Sequence, residues 1–164
     1  MTRDPAGWDV EGPVRAEVFV VFMAGDHLEL TGPCGADPWI LELGEDEHPV
    51  EVVDRIVRDV VGEPLLVHST SWRRDGGSVI LSFVVVIDPL LVGDMPTAPI
   101  ERAELARSEA TAAPRAIGHV QVVEHGLRHM AWLVQDDPVV ARELSGPWRD
   151  ILAGYVPEPF RNLG

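Results

Sequence analysis

The chain has 164 residues and a mass of 18.0 kDa, enough for one domain with a sizeable core but too little for two ordinary domains. Its net charge of −14, from 27 acidic and 13 basic residues, disfavours contact with a phosphate backbone, so we expect no nucleic-acid partner. The longest apolar run, residues 79–87, is too short to span a bilayer, and the first residues lack an apolar signal segment; we therefore expect a cytoplasmic protein without membrane contact.

The first part of the chain carries strand signals separated by turns. Residues 14–24, VRAEVFVVFMA, are rich in β-branched and aromatic side chains and end at Gly-Asp-His, which predicts a strand running into a turn. Residues 27–32, HLELTG, predict a second short strand. Residues 38–44, PWILELG, predict a third.

The spacing of apolar residues changes between Pro49 and Val61. Apolar side chains recur every three or four residues, and charged side chains occupy the other side. The apolar positions are Val52, Val53, Ile56, Val57, Val60 and Val61. Because Pro49 suits a first helical turn and Gly62 suits the position after a helix, the pattern predicts a helix over residues 49–61.

The chain then continues through a hairpin into further helices. Residues 64–74 and 78–88 flank Asp-Gly-Gly, which predicts two antiparallel strands joined by a tight turn. Residues 89–114 are rich in Pro and Ala and predict a loop with a short helix around residues 100–110. Residues 117–155 return to helical spacing, and Asp-Pro and Gly-Pro mark the starts of the later helices.

This order of elements predicts an α+β fold with a mixed β-sheet flanked by helices and a helical C-terminal extension. We expect one domain over residues 1–164, with its core at about 14–88 and its C-terminal helices at about 117–155. The apolar character of those helices also makes a homodimer an expectation.

Residues 14–88 resemble a Nudix domain. The segment from Trp39 passes through Glu-Leu-Gly-Glu at 42–45 into an amphipathic helix that ends at Gly62, and a return hairpin follows. The family's box reads G-x5-E-x7-R-E-U-x-E-E-x-G-U, where U is bulky and aliphatic. Its helix carries glutamates that bind Mg²⁺ or Mn²⁺ over a nucleoside diphosphate linked to another moiety. The resemblance therefore implies a Nudix-like sheet with a metal site beside the helix.

The box can be aligned in a register that keeps its arginine and last glycine. This register needs two extra residues between Glu45, the first glutamate, and Arg55, the arginine. Asp59 then replaces one glutamate of the helix, while Ile56 and Val60 occupy the other two glutamate positions.

The second register has no insertion. It places Asp54 and Arg58 on two of the glutamate positions and Val57 on the third, and it loses both the arginine and the glycine. Neither register leaves three acids, whereas Mg²⁺ prefers several hard oxygen ligands. The resemblance therefore implies a degenerate box. If the box is degenerate, Ile56 and Val60 are expected to pack in the core, and Val60→Glu to destabilise the protein.

Two functions stay open. The first is a small-molecule or protein binding module that lacks metal-dependent pyrophosphohydrolase activity and needs no cofactor. The alternative is a divergent Mg²⁺- or Mn²⁺-dependent hydrolase of a nucleoside diphosphate derivative. Its candidate catalytic residues are Glu45, Arg55 and Asp59, its candidate metal ligands are Glu42, Glu45 and Asp59, and further candidate acids are Glu47 and Asp54. Glu42, Glu45, Asp46 and Glu47 also fit a solvated acidic turn before a helix, and Arg55 with Asp59 fits a surface ion pair.

Three other groups are weaker candidates. Trp72 at the hairpin is expected to be exposed and, with Arg73, could stack on a ligand ring or a partner surface. His125 and His129 lie four residues apart and could share a metal ion, or could simply face solvent or a partner. Cys34, the only cysteine, would need a neighbouring base to act as a nucleophile.

Overall fold

The computed structural model describes residues 12–100, 118–144 and 146–155. Its elements, in chain order, are β1 (Val14–Ala24), β2 (His27–Thr31), β3 (Trp39–Leu43), α1 (Pro49–Val60), β4 (Leu66–Asp75), β5 (Ser78–Val86), a 3-10 turn (Pro89–Leu91), β6 (Thr97–Pro99), α2 (His119–Asp136), α3 (Pro138–Glu143) and α4 (Pro147–Ala153). The prediction of an α+β fold with a mixed sheet is confirmed, and so are the 49–61 helix and the hairpin at Asp-Gly-Gly. The short helix expected around residues 100–110 lies almost wholly outside the described residues.

Strand β1 is the centre of a six-stranded sheet. On one side it runs parallel to β5, and β4 pairs with β5 beyond it. On the other side its first half pairs with β3 and its second half with β2, both antiparallel, and β6 extends the sheet from β2. Parallel neighbours need a long crossover, and β3, α1 and β4 lie within the stretch that provides it.

The two faces of the sheet carry separate apolar cores. Alternate residues of a strand point to opposite faces, so each strand contributes to both cores. One face packs on α1, through Ala16, Val18, Val20, Phe22, Val53, Val57, Phe83 and Val85. The other face packs on α2, α3 and α4, through Phe19, Val21, Val84, Val86, Leu127, Met130, Leu144, Trp148 and Leu152. The apolar residues that suggested a homodimer are therefore largely buried within the chain itself.

The expectation that Val60 packs in the core is wrong. Val60 is 55% exposed, and Ile56 is only partly buried. Helix α1 meets the sheet along Val53 and Val57, which are nearly inaccessible. Ile56 and Val60 lie on the flank of the helix that turns towards the edge strand β3, where the described residues leave the helix partly uncovered. Among the helices that the structure describes, none is long and apolar enough to cross a membrane.

Candidate functional site

The structure keeps Glu42 away from α1. Trp39, Leu41 and Leu43 of β3 pack against the core beneath α1, so the alternating Glu42 points to the opposite face of the sheet. Its side chain is 78% exposed and lies 3.8 Å from the guanidinium of Arg15. Glu42 is thus separated by the sheet from the helix that carries Asp59.

Glu45 and Glu47 lie together in the loop that precedes α1. Both line an open cavity of about 610 Å³ whose rim includes Gly44 and Pro49. The carboxylate of Glu47 accepts a hydrogen bond from the backbone N–H of Gly44 at 2.9 Å and lies 3.5 Å from the guanidinium of Arg55. The Gly44 hydrogen bond, helped by Arg55, holds the pKa of Glu47 below its usual value.

The acids of α1 do not gather into a metal site. The expected ion pair between Arg55 and Asp59 is not formed, because Arg55 reaches back to Glu47 and the i,i+4 pair of this helix is Arg58 with Asp54, at 2.6 Å. Asp59 is exposed. Within the described part of the chain, no group of three His, Cys, Asp or Glu side chains could hold a metal ion.

An apolar groove lies where the resemblance expects glutamates. Ile56 and Val60 form one wall of this groove, and Trp39 and Leu41 of β3 form the other. All of its described lining residues are apolar: Val18, Trp39, Leu41, Ile56, Val57, Val60 and Val61. We call it the α1–β3 groove. Its free volume is only about 10 Å³, so it is a narrow cleft and not a chamber.

Trp72 and Arg73 point to opposite faces of the sheet. Trp72 is 56% exposed, as expected. Arg73 turns to the α2 face, where its guanidinium binds the carboxylate of Glu17 through both terminal nitrogens, one of them at 2.7 Å. Ser82 of β5 donates to the same carboxylate at 2.5 Å. Arg73 is therefore committed to an internal partner.

Glu17 is the charged residue that sequence reasoning missed. It is only 1% exposed, although it lies in the middle of β1. Burial alone would raise the pKa of Glu17, but the hydrogen bonds from Arg73 and Ser82 outweigh that effect and hold the pKa below its usual value. The available signal was one acid inside a long apolar strand, because such an acid must find a partner if the strand is central.

A second cavity, of about 320 Å³, lies between α2 and β4. It is lined by Thr70 of β4 and by four residues on one side of α2: His125, Arg128, His129 and Trp132. We call it the α2–β4 cavity. Nδ1 of His129 lies 2.9 Å from Nε2 of His68 on β4, within hydrogen-bonding distance. Burial, reinforced by the nearby His129, lowers the pKa of His68 and so favours its neutral form.

Cys34 is exposed in the turn after β2. His27, one of the histidines near it in the sequence, instead contacts the carboxylates of Asp26 and Glu29 at 3.2 Å and 3.1 Å. Glu29 and then Asp26 raise the pKa of His27. This histidine is thus held by acids, which favours its protonated form.

No protein-family model matches the chain, and no curated protein sequence matches it.

Proposed function

We propose that this chain is a Nudix-like binding module that does not hydrolyse nucleoside diphosphate derivatives. The observation that carries the proposal is the apolar α1–β3 groove. In the register that keeps Arg55, two of the helix positions that hold metal-binding glutamates in the family are Ile56 and Val60, and both side chains line this groove.

The chemistry of the groove opposes a hydrated divalent ion. Mg²⁺ needs oxygen ligands in near-octahedral geometry and keeps part of its water shell, and apolar walls provide neither ligands nor hydrogen bonds for that water. Asp59 is the one acid that this register keeps in the helix, and Glu42 lies behind the sheet. The family's metal chemistry therefore lacks its ligand set here.

The groove fits an extended protein segment better than a small molecule. Its free volume of about 10 Å³ is far below the roughly 300 Å³ at which small-molecule sites begin, so a compact ligand finds no pocket unless the groove opens. The neighbouring strand β3 pairs only with β1 among the described residues, which leaves its outer edge available for another strand. A partner segment could pair along β3 and rest apolar side chains on Trp39, Ile56 and Val60.

Charge indicates the chemistry of that segment. The chain carries a net charge of −14, and Glu45, Glu47 and Asp59 lie on or close to α1. Basic residues beside the apolar ones would therefore be attracted to this surface. The partner we propose is an extended segment with alternating apolar residues and flanking Lys or Arg.

One observation supports the hydrolase alternative. Glu45 and Glu47 share the 610 Å³ cavity, which has room for a nucleotide-sized ligand. Mn²⁺ titration followed by electron paramagnetic resonance, together with release of a nucleoside monophosphate from a panel of nucleotide sugars and dinucleotides, separates the two functions. We expect no tight Mn²⁺ site and no turnover. Turnover that Glu45→Gln abolishes and Glu51→Gln preserves would establish the hydrolase instead, since Glu51 lies in the first turn of α1 and does not line the cavity.

The binding role is tested with a displayed library of random peptides. Selection on the native protein should enrich sequences with alternating apolar residues and basic flanks. Binding of the enriched peptides should weaken at least about tenfold in Ile56→Glu, which places a charge in the groove, and stay unchanged in Glu51→Gln. Enriched peptides that bind Ile56→Glu as tightly as the native protein would contradict the groove as the binding surface.

A further inference from the structure

The α2–β4 cavity lies on the face of the sheet opposite the α1–β3 groove. Helix α2 packs with Phe19, Val21, Val84 and Val86, whereas α1 packs with Val18, Val20, Phe83 and Val85. A ligand in this cavity would therefore touch none of the residues on which the proposed function depends. The two sites can be tested separately.

Local irregularities in β4 and α2 shape this cavity. The pairing of β4 with β5 shifts register between Ser69 and Ser71, so Thr70 is an extra residue in a bulge. Thr70 lines the cavity, and its hydroxyl donates to the backbone carbonyl of Ser82 at 3.2 Å. On α2, a Cβ added to Gly126 would lie 2.6 Å from Val84 and 3.0 Å from Thr70. The glycine thus lets the helix approach β4 closely beside the cavity.

The cavity lining combines cationic, imidazole and aromatic groups. His125, Arg128, His129 and Trp132 follow the i, i+3, i+4 and i+7 spacing of one helix face. Acids outnumber bases about two to one in this chain, yet none of the described residues lining the cavity is acidic. The nearest acid on the helix, Glu124, accepts a hydrogen bond from Arg128 at 2.6 Å and lines a smaller adjoining cavity.

The hydrogen bond between the imidazoles orients His129. It uses Nδ1 of His129 and Nε2 of His68, so Nε2 of His129 remains for another partner. Arg128 keeps further guanidinium N–H groups besides the one that Glu124 accepts. The guanidinium N–H groups of Arg128 can therefore donate to an anionic group in the cavity, and Nε2 of His129 adds a donor when that nitrogen carries the proton.

We propose that the α2–β4 cavity binds a small organic anion with a planar ring, the ring against Trp132 and the anionic group facing Arg128 and the histidines. The indole of Trp132 is 48% exposed and offers an aromatic face at the cavity wall. The volume of about 320 Å³ is at the lower end of the range for small-molecule sites, which suits a ligand of one or two rings.

The test compares 1-naphthoate with its uncharged analogue 1-naphthalenemethanol, using amide chemical shifts of the whole chain at low salt. Naphthoate should shift resonances of α2 and β4 and bind at least about tenfold more tightly than the alcohol. Arg128→Gln should weaken naphthoate binding about tenfold, whereas Arg142→Gln, the same change at an exposed arginine of α3, should leave it unchanged. Trp132→Leu should weaken both compounds.

Several results would overturn the proposal. These are no saturable shift of native α2 resonances by naphthoate, equal affinity for the alcohol, or equal affinity in Arg128→Gln and Arg142→Gln. If circular dichroism shows that Arg128→Gln is unfolded, His125→Gln replaces it with the same expected direction. Ile56→Glu provides the separate control, because it disrupts the α1–β3 groove and should leave naphthoate binding intact.

Discussion

Arg73 on β4 reaches across the intervening strand β5 to bind Glu17 on β1. The carboxylate is almost inaccessible, and Ser82, on the strand between them, donates to it at 2.5 Å. A carboxylate buried in a sheet tolerates the loss of its cation poorly, because the remaining charge keeps its desolvation cost.

Replacing Arg73 by Met should therefore destabilise the fold strongly. Loss of the guanidinium leaves the Glu17 carboxylate buried without its cation, which costs roughly 3–5 kcal/mol of unfolding free energy. Urea denaturation at pH 7 measures the change. Arg142→Met, at an arginine that is 73% exposed, should change stability by less than about 0.5 kcal/mol, and equal effects of the two substitutions would contradict a structural role for the pair.

The same pair predicts how stability responds to acid. The folded-state pKa of Glu17 is lowered, so the folded protein binds this proton more weakly than the unfolded chain does. The stability from this carboxylate is present above its unfolded pKa, near 4.5, and is lost as the pH falls through the folded value. Urea midpoints between pH 7 and pH 3 should fall more steeply for the native protein than for Glu17→Gln. Parallel curves would show that Glu17 does not contribute.

The lowered pKa of His68 predicts a second effect of pH on stability, at higher pH than the effect of Glu17. Its pKa is lowered by burial and by His129, so folding is favoured above the unfolded pKa near 6.5 and loses that contribution as the pH falls below it. Urea midpoints measured at pH 8 and pH 5.5 should differ less in His68→Gln than in the native protein. Glu29 and Asp26 raise the pKa of His27, so the stability that His27 contributes is lost as the pH rises. In His27→Gln, the urea midpoint at pH 8 should therefore rise relative to the midpoint at pH 5.5.

The two valines at positions 57 and 60 should respond differently to the same substitution. Val57 is 4% exposed and Val60 is 55% exposed. Val57→Glu should cost several kcal/mol, because it buries a carboxylate without a partner. Val60→Glu should leave the melting temperature nearly unchanged. It should not create Mg²⁺-dependent hydrolysis, since Asp59 is the one acid of the aligned box that would lie beside the new glutamate in the helix. A large loss of stability in Val60→Glu would show that the groove is closed in solution.

Local patterns predicted the elements well because their causes are local. The turn at Asp-Gly-Gly needs backbone angles that glycine supplies, and Gly76 and Gly77 both have positive φ there. The 49–61 helix was predicted from spacing and from Pro49 and Gly62 at its ends, and the structure places it at Pro49–Val60. Neither prediction required knowledge of the rest of the chain.

The side-chain partners depend on strand order, which local patterns do not contain. Arg73 could be assigned to Glu17 only after β4, β5 and β1 were known to be neighbours in that order. The exposure of Val60 has a similar cause, because helical spacing shows which residues share a stripe and does not show how far a neighbouring strand extends over it. The bulge at Thr70 likewise lacks a strong sequence signal.

The parallel pairing of β1 with β5 also limits how this chain can fold. Glu17 and Ser82 are adjacent in the sheet but 65 residues apart in the sequence, so the centre of the sheet forms only after a long loop has closed. The β4–β5 hairpin needs only a short loop and can form early. The partly folded chain then exposes the apolar edge of β5, with Val84, Val85 and Val86, until β1 arrives, and during synthesis β1 must wait for the ribosome to deliver that partner strand.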